Sequence, residues 1–264
     1  MGRRAYKWIV RDWLPPGDLA AASEVLGTMR FIRQIEPQFL EGPAAQSILV
    51  LAPHPDDEVI GPGGTLIRAA RGGRTVNILY VTSGKREEAA ERNAEAKVCC
   101  ASLGFAPVIL GGVADQIDVA AAAKSVAESI GSIRPGAILV PFLLDDHPDH
   151  RRVNEVLLRA LEGAASDAEI WAYQVYSPIP GNVAVDVTDV IAAKADAIRG
   201  YRSQMAHRDW AHFALGLNAF NCRLLSGQAD PHYVESFFVV SCGEYLDLCR
   251  RYFSTVAAAA HVRQ

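Results

Sequence analysis

The chain has 264 residues, 50% of them hydrophobic and 21% charged, enough apolar material for one large domain with a sizeable core. A formal charge of −4 without any dense Lys/Arg patch argues against a nucleic-acid partner, which wants a basic face. No apolar run approaches the roughly 20 residues of a membrane span. The opening MGRRAYKWIVRDW carries charges where a secretory leader needs an apolar core, so a soluble cytoplasmic protein is expected.

In chain order, residues 1–46 read as a peripheral N-terminal helical extension, with a Pro-Gly-Asp start signal in PPGDLAAASEVLGTMRFIRQIEP. A regular alternation follows. SILVLAP (47–53) is a buried strand by its continuous apolar run, and GGTLIRAARGG is a helix closed by glycines. RTVNILYVT (74–82) is the second strand, and REEAAERNAEAKVCCASLG is a helix with an acidic first turn. APVIL is the third strand, followed by a helix from Asp118. GAILVPF (136–142) is the fourth strand, DHRRVNEVLLRALEGA the next helix and EIWAYQVY the fifth strand. Residues 205–264 elaborate the C-terminal part, with a mixed segment 207–228, the strand YVESFFVVS and a last helix. Strands alternating with helices indicate an α/β fold with a mostly parallel sheet, and no linker or fixed-period repeat divides residues 1–264.

The five cysteines, Cys99, Cys100, Cys222, Cys242 and Cys249, are odd in number and contain no CxxC pair. Neither a disulfide framework nor a cysteine zinc finger is expected, and the thiols read as buried and inert.

Two segments carry chemistry. HPDDE, ending at Glu58, follows the first strand of the alternation, and DDHPDH, Asp145 to His150, follows the fourth. Ligands in open α/β sheets bind at carboxyl ends of strands where strand order reverses, and in the commonest doubly wound order these two strands are neighbours there. The segments should therefore meet, bringing together His54, Asp56, Asp57, Glu58, Asp145, Asp146, His147, Asp149 and His150. Imidazoles with several carboxylates suit a hydrolytic metal site. Taken singly, each segment also reads as a helix cap whose acids complement the helix dipole. The stretch GPGGT lacks both the dinucleotide fingerprint and the Gly-Lys-Ser/Thr end of a phosphate loop.

The stretch SILVLAPHPDDEVIGPGGTLIRAARGGRTVNILYVTSGK, with RNAEAKVCCASLG, LGGVADQID and DDHPDHRRVNEVLLRAL, resembles the PIG-L/LmbE family of metal-dependent N-acetylglucosaminyl de-N-acetylases. The likeness continues more weakly through VDVTDVIAAKADAIRGYRSQ to YVESFFVV. It implies a Rossmann-like three-layer α/β fold with an elaborated C-terminal third. It implies His54, Asp57 and His150 as metal ligands, with Zn2+ first and Fe2+, Co2+ or Mn2+ as alternatives. It assigns Asp56 as general base, His147 as general acid and Asp149 as the group that orients or charge-tunes His147. Arg92 and Asp115 match substrate-facing positions; the bland reading of Arg92 is an ion pair with Glu95 or Glu88 on its own helix. The implied substrate is an N-acetylated sugar or glycoconjugate. Lys85 stands where family members often carry an acid, and Glu58 reads as a supporting residue. His207, His212 and His232 fall outside the family pattern and read as surface or packed histidines. The scaffold also resembles that of metal-dependent hydratases of oxo-dicarboxylic acids, for which Lys85, Arg86, Arg151 and Arg152 would supply cations; a non-sugar amide hydrolase is the other alternative.

Overall fold

Residues with unbroken apolar runs have two faces to bury, and a sheet covered by helices on both sides satisfies both. The structure is a computed structural model describing residues 16–28, 37–164, 166–177, 179–225, 230 and 232–261. Its strands are β1 (Gln38–Phe39), β2 (Ser47–Ala52), β3 (Thr75–Thr82), β4 (Ala106–Gly112), β5 (Ala137–Pro141), β6 (Glu169–Tyr173), β7 (Val183–Asp186) and β8 (Val234–Ser241). They form one sheet in the order β1-β7-β8-β6-β5-β2-β3-β4. Every neighbouring pair is parallel except the two made by β8. The expected α/β architecture is the observed one. The expected meeting of the first and fourth strands of the alternation is also observed: β2 lies beside β5, with Ile48 opposite Ala137 and Val50 opposite Leu139.

The helices are α1 (Pro16–Leu26), α2 (Asp57–Ile60), α3 (Gly63–Arg71), α4 (Ala89–Leu103), α5 (Val119–Ile133), α6 (Pro148–Ala160), α7 (Ile191–Gly200), α8 (Arg202–Met205), α9 (Trp210–Asn221) and α10 (Cys242–His261). Alternation along each strand splits the core in two. Ile48, Val50, Ile78 and Leu139 face α3, α4, α7 and α9; Leu49, Leu51, Leu79 and Val140 face α1, α5, α6 and α10. This is the three-layer arrangement. The N-terminal helix is less peripheral than its sequence suggests, because Ala21 and Val25 are buried and α1 packs on α10. Residues 37–46, also expected in the helical extension, are not helical: Gln38–Phe39 form β1 and pair with β7 at the sheet edge, where backbone pairing overrides a weak helical signal. Residues 1–15 and 29–36 lie outside the described residues.

The segment 207–228, unreadable as a regular element, contains the 12-residue α9, whose N-cap Asp209 accepts from the His212 N–H at 2.9 Å. Four cysteines are buried as expected, while Cys222 is partly exposed. No helix among the described residues is long and apolar enough to cross a membrane.

The glycines after HPDDE have a steric purpose. A Cβ on Gly64 would stand 2.6 Å from Val187 Cβ, so α3 packs closely only without one. The N-terminus of α3 already holds an anion from the protein itself. Glu235 on β8 accepts from the Gly64 and Thr65 N–H groups at 2.7 and 2.8 Å and from the Thr65 hydroxyl at 2.6 Å. Lys194 on α7, fully buried, donates to Glu235 at 2.6 Å, to the Gly61 carbonyl at 3.0 Å and to Asn218 Oδ1 at 2.9 Å. A carboxylate therefore fills the position at which a phosphate-binding loop would present its ligand.

Candidate metal centre

β2 ends at Ala52, and the chain turns at once through His54-Pro55-Asp56 into α2. Asp56 takes φ 119°, a left-handed value that costs a non-glycine residue strain, and such strain concentrates at functional sites. Its N–H donates to Glu58 Oε2 at 3.0 Å, and the Glu58 carboxylate also accepts from the Tyr201 hydroxyl, which lies 3.3 Å from that of Tyr80. Burial pushes Glu58 up to about 7, against these hydrogen bonds. Glu58 therefore supports the turn, as its sequence position suggests.

β5 delivers the second segment. His147 is the N-cap of α6 and Pro148 opens that helix, where a missing N–H costs nothing. Asp145, entirely buried, accepts from the His147 N–H at 3.0 Å and the Tyr176 N–H at 3.1 Å, which folds the loop back over the sheet.

The two segments meet around Asp57. Its Oδ2 lies 3.1 Å from His54 Nδ1 and 3.3 Å from His150 Nε2. One ligand atom from each of His54, Asp57 and His150 lies within 4.8 Å of the other two. Each imidazole turns its other nitrogen to a carboxylate: His54 Nε2 to Asp149 at 3.0 Å, and His150 Nδ1 to Asp145 at 3.1 Å. That is the arrangement by which carboxylates hold metal-ligating histidines in one tautomer and orientation. Neither nitrogen of His150 makes a hydrogen bond of good geometry, although both are fully buried.

The electrostatics ask for a cation. Burial alone would lower His150, yet Asp57 and Asp145 override it and raise the imidazole to about 10. Burial would raise Asp57, but His150 and His54 hold it well below the ordinary carboxylate range. The carboxylates thus keep a proton on His150, which that side chain would release on taking a metal. A soft–hard mixture of two imidazoles and one carboxylate, three protein ligands in all, fits an open divalent site.

Asp56 and His147 flank the trio. Burial raises Asp56 to about 8, opposed by Arg92, whose guanidinium lies 3.2 Å from Asp56 Oδ1. Burial and the neighbouring His150 and His54 lower His147 to about 4, so its imidazole is neutral near pH 7. The Asp149 N–H donates to His147 Nδ1 at 3.1 Å, which leaves the His147 proton on Nε2.

Two expectations change in detail. The Asp149 carboxylate faces His54 and accepts from the Asp115 N–H at 2.8 Å; only its charge, not a hydrogen bond, acts on His147. Arg92 is 7% exposed, and its fork is occupied by Asp56 and by the Pro55 carbonyl at 2.7 Å, neither by a sugar-facing position nor by Glu95 or Glu88. Glu95 instead accepts from Ser203 at 2.6 Å. Asp115 keeps an exposed side chain at a cleft of about 270 Å³ that it shares with Gln116, Pro148 and Arg152. His207 and His212 are exposed and His232 pairs with Asp186 at 2.9 Å; none joins the metal trio. Sequence reasoning grouped Asp145 with the site without giving it a task, and it missed Tyr176, which stacks on His147 with ring centroids 5.9 Å apart. Spacing to His150, five residues, was the available signal for Asp145; Tyr176 had none.

Residues 49–161 match the family model described as PIG-L: GlcNAc-PI de-N-acetylase. The diacetylchitobiose deacetylase of Thermococcus kodakarensis is 28% identical over 233 residues, covering 77% of this chain and 86% of that protein. Among solved structures, the N,N'-diacetylchitobiose deacetylase of Pyrococcus horikoshii aligns with a TM-score of 0.66 at 22% identity, over 86% of this chain and 94% of the other. The 4-carboxy-2-hydroxymuconate hydratase GalB of Pseudomonas putida aligns with a TM-score of 0.61 at 20% identity, over 74% and 95% of the two chains. These two structures share the fold.

Proposed function

We propose, from the PIG-L match over residues 49–161, that the chain is a metal-dependent hydrolase removing the acetyl group from an N-acetylglucosamine-type sugar or glycoconjugate. The observation that carries this reading is the convergence of His54 Nδ1, Asp57 Oδ2 and His150 Nε2, with the outer nitrogen of each histidine facing its own carboxylate. These three residues would hold the metal, zinc first, with iron, cobalt and manganese as alternatives for such donors. A divalent cation there supplies Lewis acidity, which polarises an amide carbonyl and makes water a nucleophile near pH 7.

The remaining steps belong to side chains. Asp56 accepts the proton of the attacking water on its carboxylate, steadied by Arg92. His147 donates a hydrogen bond from Nε2 to the oxygen where charge develops, and the proton that Asp56 has taken from water passes to the departing nitrogen, which returns both side chains to their starting states. Asp149 fixes His54 and Asp145 fixes His150. The products are acetate and a free amine on the sugar.

The hydratase alternative has less to support it. Of the four cations near the motifs, Arg151 donates to the carbonyls of Asp145 and Asp146 at 2.6 and 2.8 Å, and Arg152 pairs with Glu155 at 2.7 Å. Arg151 is thereby committed to its own loop, and Arg152 has a surface partner. The deciding experiment measures acetate released from a panel of N-acetyl sugars and glycoconjugates beside hydration of an unsaturated dicarboxylate. Acetate from the sugars is expected; hydration without acetate would overturn the assignment. Asp145→Asn should lower metal affinity by about 10- to 100-fold, read by metal titration; unchanged affinity would remove Asp145 from the support of His150.

A further inference from the structure

Three large aromatics of the core place their polar atoms on protein partners. Trp171 Nε1 donates to Glu169 at 3.3 Å, the Tyr173 hydroxyl to the Leu51 carbonyl at 3.1 Å, and the Tyr245 hydroxyl to Asn154 at 2.7 Å. Tyr176 and Trp210 do not follow this pattern. Both are partly buried, and among the described residues neither the Tyr176 hydroxyl nor Trp210 Nε1 has a hydrogen-bond partner. Neither atom is sealed from solvent.

These two rings and Phe213 form a row that leads away from the metal trio. Tyr176 lies nearly parallel to His147, at 22°, and its centroid is 5.3 Å from that of His150. Trp210 meets Tyr176 edge to face at 5.8 Å, and Phe213 lies 6.3 Å from Tyr176 and 5.7 Å from Trp210. Trp210 and Phe213 are three residues apart on α9, so they share one helix face. The Arg208 guanidinium, 5.0 Å from the Trp210 centroid, props the outer ring.

We infer that Tyr176, Trp210 and Phe213 form a subsite for the ring next to the reacting acetamido sugar. This rests on the deacetylase reading. Half-buried rings with open polar handles suit a ligand with an apolar face and hydroxyl groups at its edge, which describes a pyranose. The shared chemistry is a flat ring face; its sources are a second sugar or an aromatic aglycone, and the second sugar is the occupant we assign because both open handles are hydrogen-bond donors.

The test is calorimetric binding to the full metal-loaded chain carrying Asp56→Asn, so that the ligands survive. The ligands are N-acetylglucosamine, its β-linked disaccharide and its p-nitrophenyl glycoside. The disaccharide is expected to bind about tenfold tighter than the monosaccharide. Trp210→Ala should abolish most of that ratio while leaving monosaccharide affinity in place, and Trp210→Phe should retain most of it. Phe213→Leu, a milder change, should reduce the ratio even if Trp210→Ala fails to fold. An unchanged ratio in both variants, or an equal loss for both sugars, overturns the subsite. Tightening by the p-nitrophenyl group alone overturns the sugar as its occupant. Acetate release by the wild-type chain is measured in parallel, so loss of the deacetylase reading is seen separately from loss of the subsite.

Discussion

Asp56→Asn is expected to lower acetate release by about 10²- to 10⁴-fold, the usual contribution of a positioned acid or base, while bound metal stays at the wild-type level. Asparagine is the informative replacement because it tolerates the left-handed backbone at φ 119° and keeps the N–H that donates to Glu58. What it loses is the ability to take a proton. A base works when deprotonated, so wild-type activity should rise with pH through the Asp56 titration, which burial displaces upward to about 8 in the metal-free chain. The variant should lack that rising limb. His150→Ala should behave in the opposite sense and lose metal, because it removes one of the three converging ligand atoms. A variant at Asp56 that lost metal yet kept its rate would reverse the two assignments.

Lys194→Met is expected to destabilise the protein by about 3–5 kcal/mol, since it strands a buried carboxylate. Glu235 is 2% exposed, and its partner at 2.6 Å would be gone. Burial pulls Lys194 below the ordinary lysine range while Glu235 pulls it back, so the pair holds together against its own desolvation. The measurement is the urea midpoint, with the slope checked for constancy. Lys194→Met combined with Glu235→Gln should recover part of the loss, because no unpaired charge stays buried and the one glutamine carbonyl oxygen can still accept from the Thr65 N–H and hydroxyl, leaving only the Gly64 N–H without its acceptor. A single variant within about 1 kcal/mol of wild type would show that the pair is dispensable.

The central strands were legible because each had two faces to bury and therefore an unbroken apolar run, whereas β1, two exposed residues at the sheet edge, carried no such signal. Ile48 through Ala52 and Ala137 through Pro141 needed no further information. The ligand trio was legible because HPDD and HPDH follow strands that are neighbours in the usual order. Residues acting across long sequence distances were not legible. Tyr176 acquires its place over His147 from a loop that Asp145 folds back, and nothing in EIWAYQVY marks that ring as different from Tyr173. Arg92 shows the same limit: its helix offers Glu88 and Glu95 at pairing distance in sequence, yet tertiary packing sends the guanidinium to Asp56. Glu235 and Lys194 look like ordinary surface charges until β8 and α7 bring them under α3.

That last contact reaches back 171 residues, from Glu235 to Gly64. At ribosomal rates of about 5–20 residues per second, roughly 10–30 s separate the synthesis of the two. Throughout that interval the start of α3 emerges without its own capping carboxylate, and β8, the strand that supplies it, does not yet exist. The amino-terminal half therefore has a stretch of time in which its helix start is open to any passing anion. Final closure of the domain belongs to a late event, the insertion of an antiparallel strand between β6 and β7.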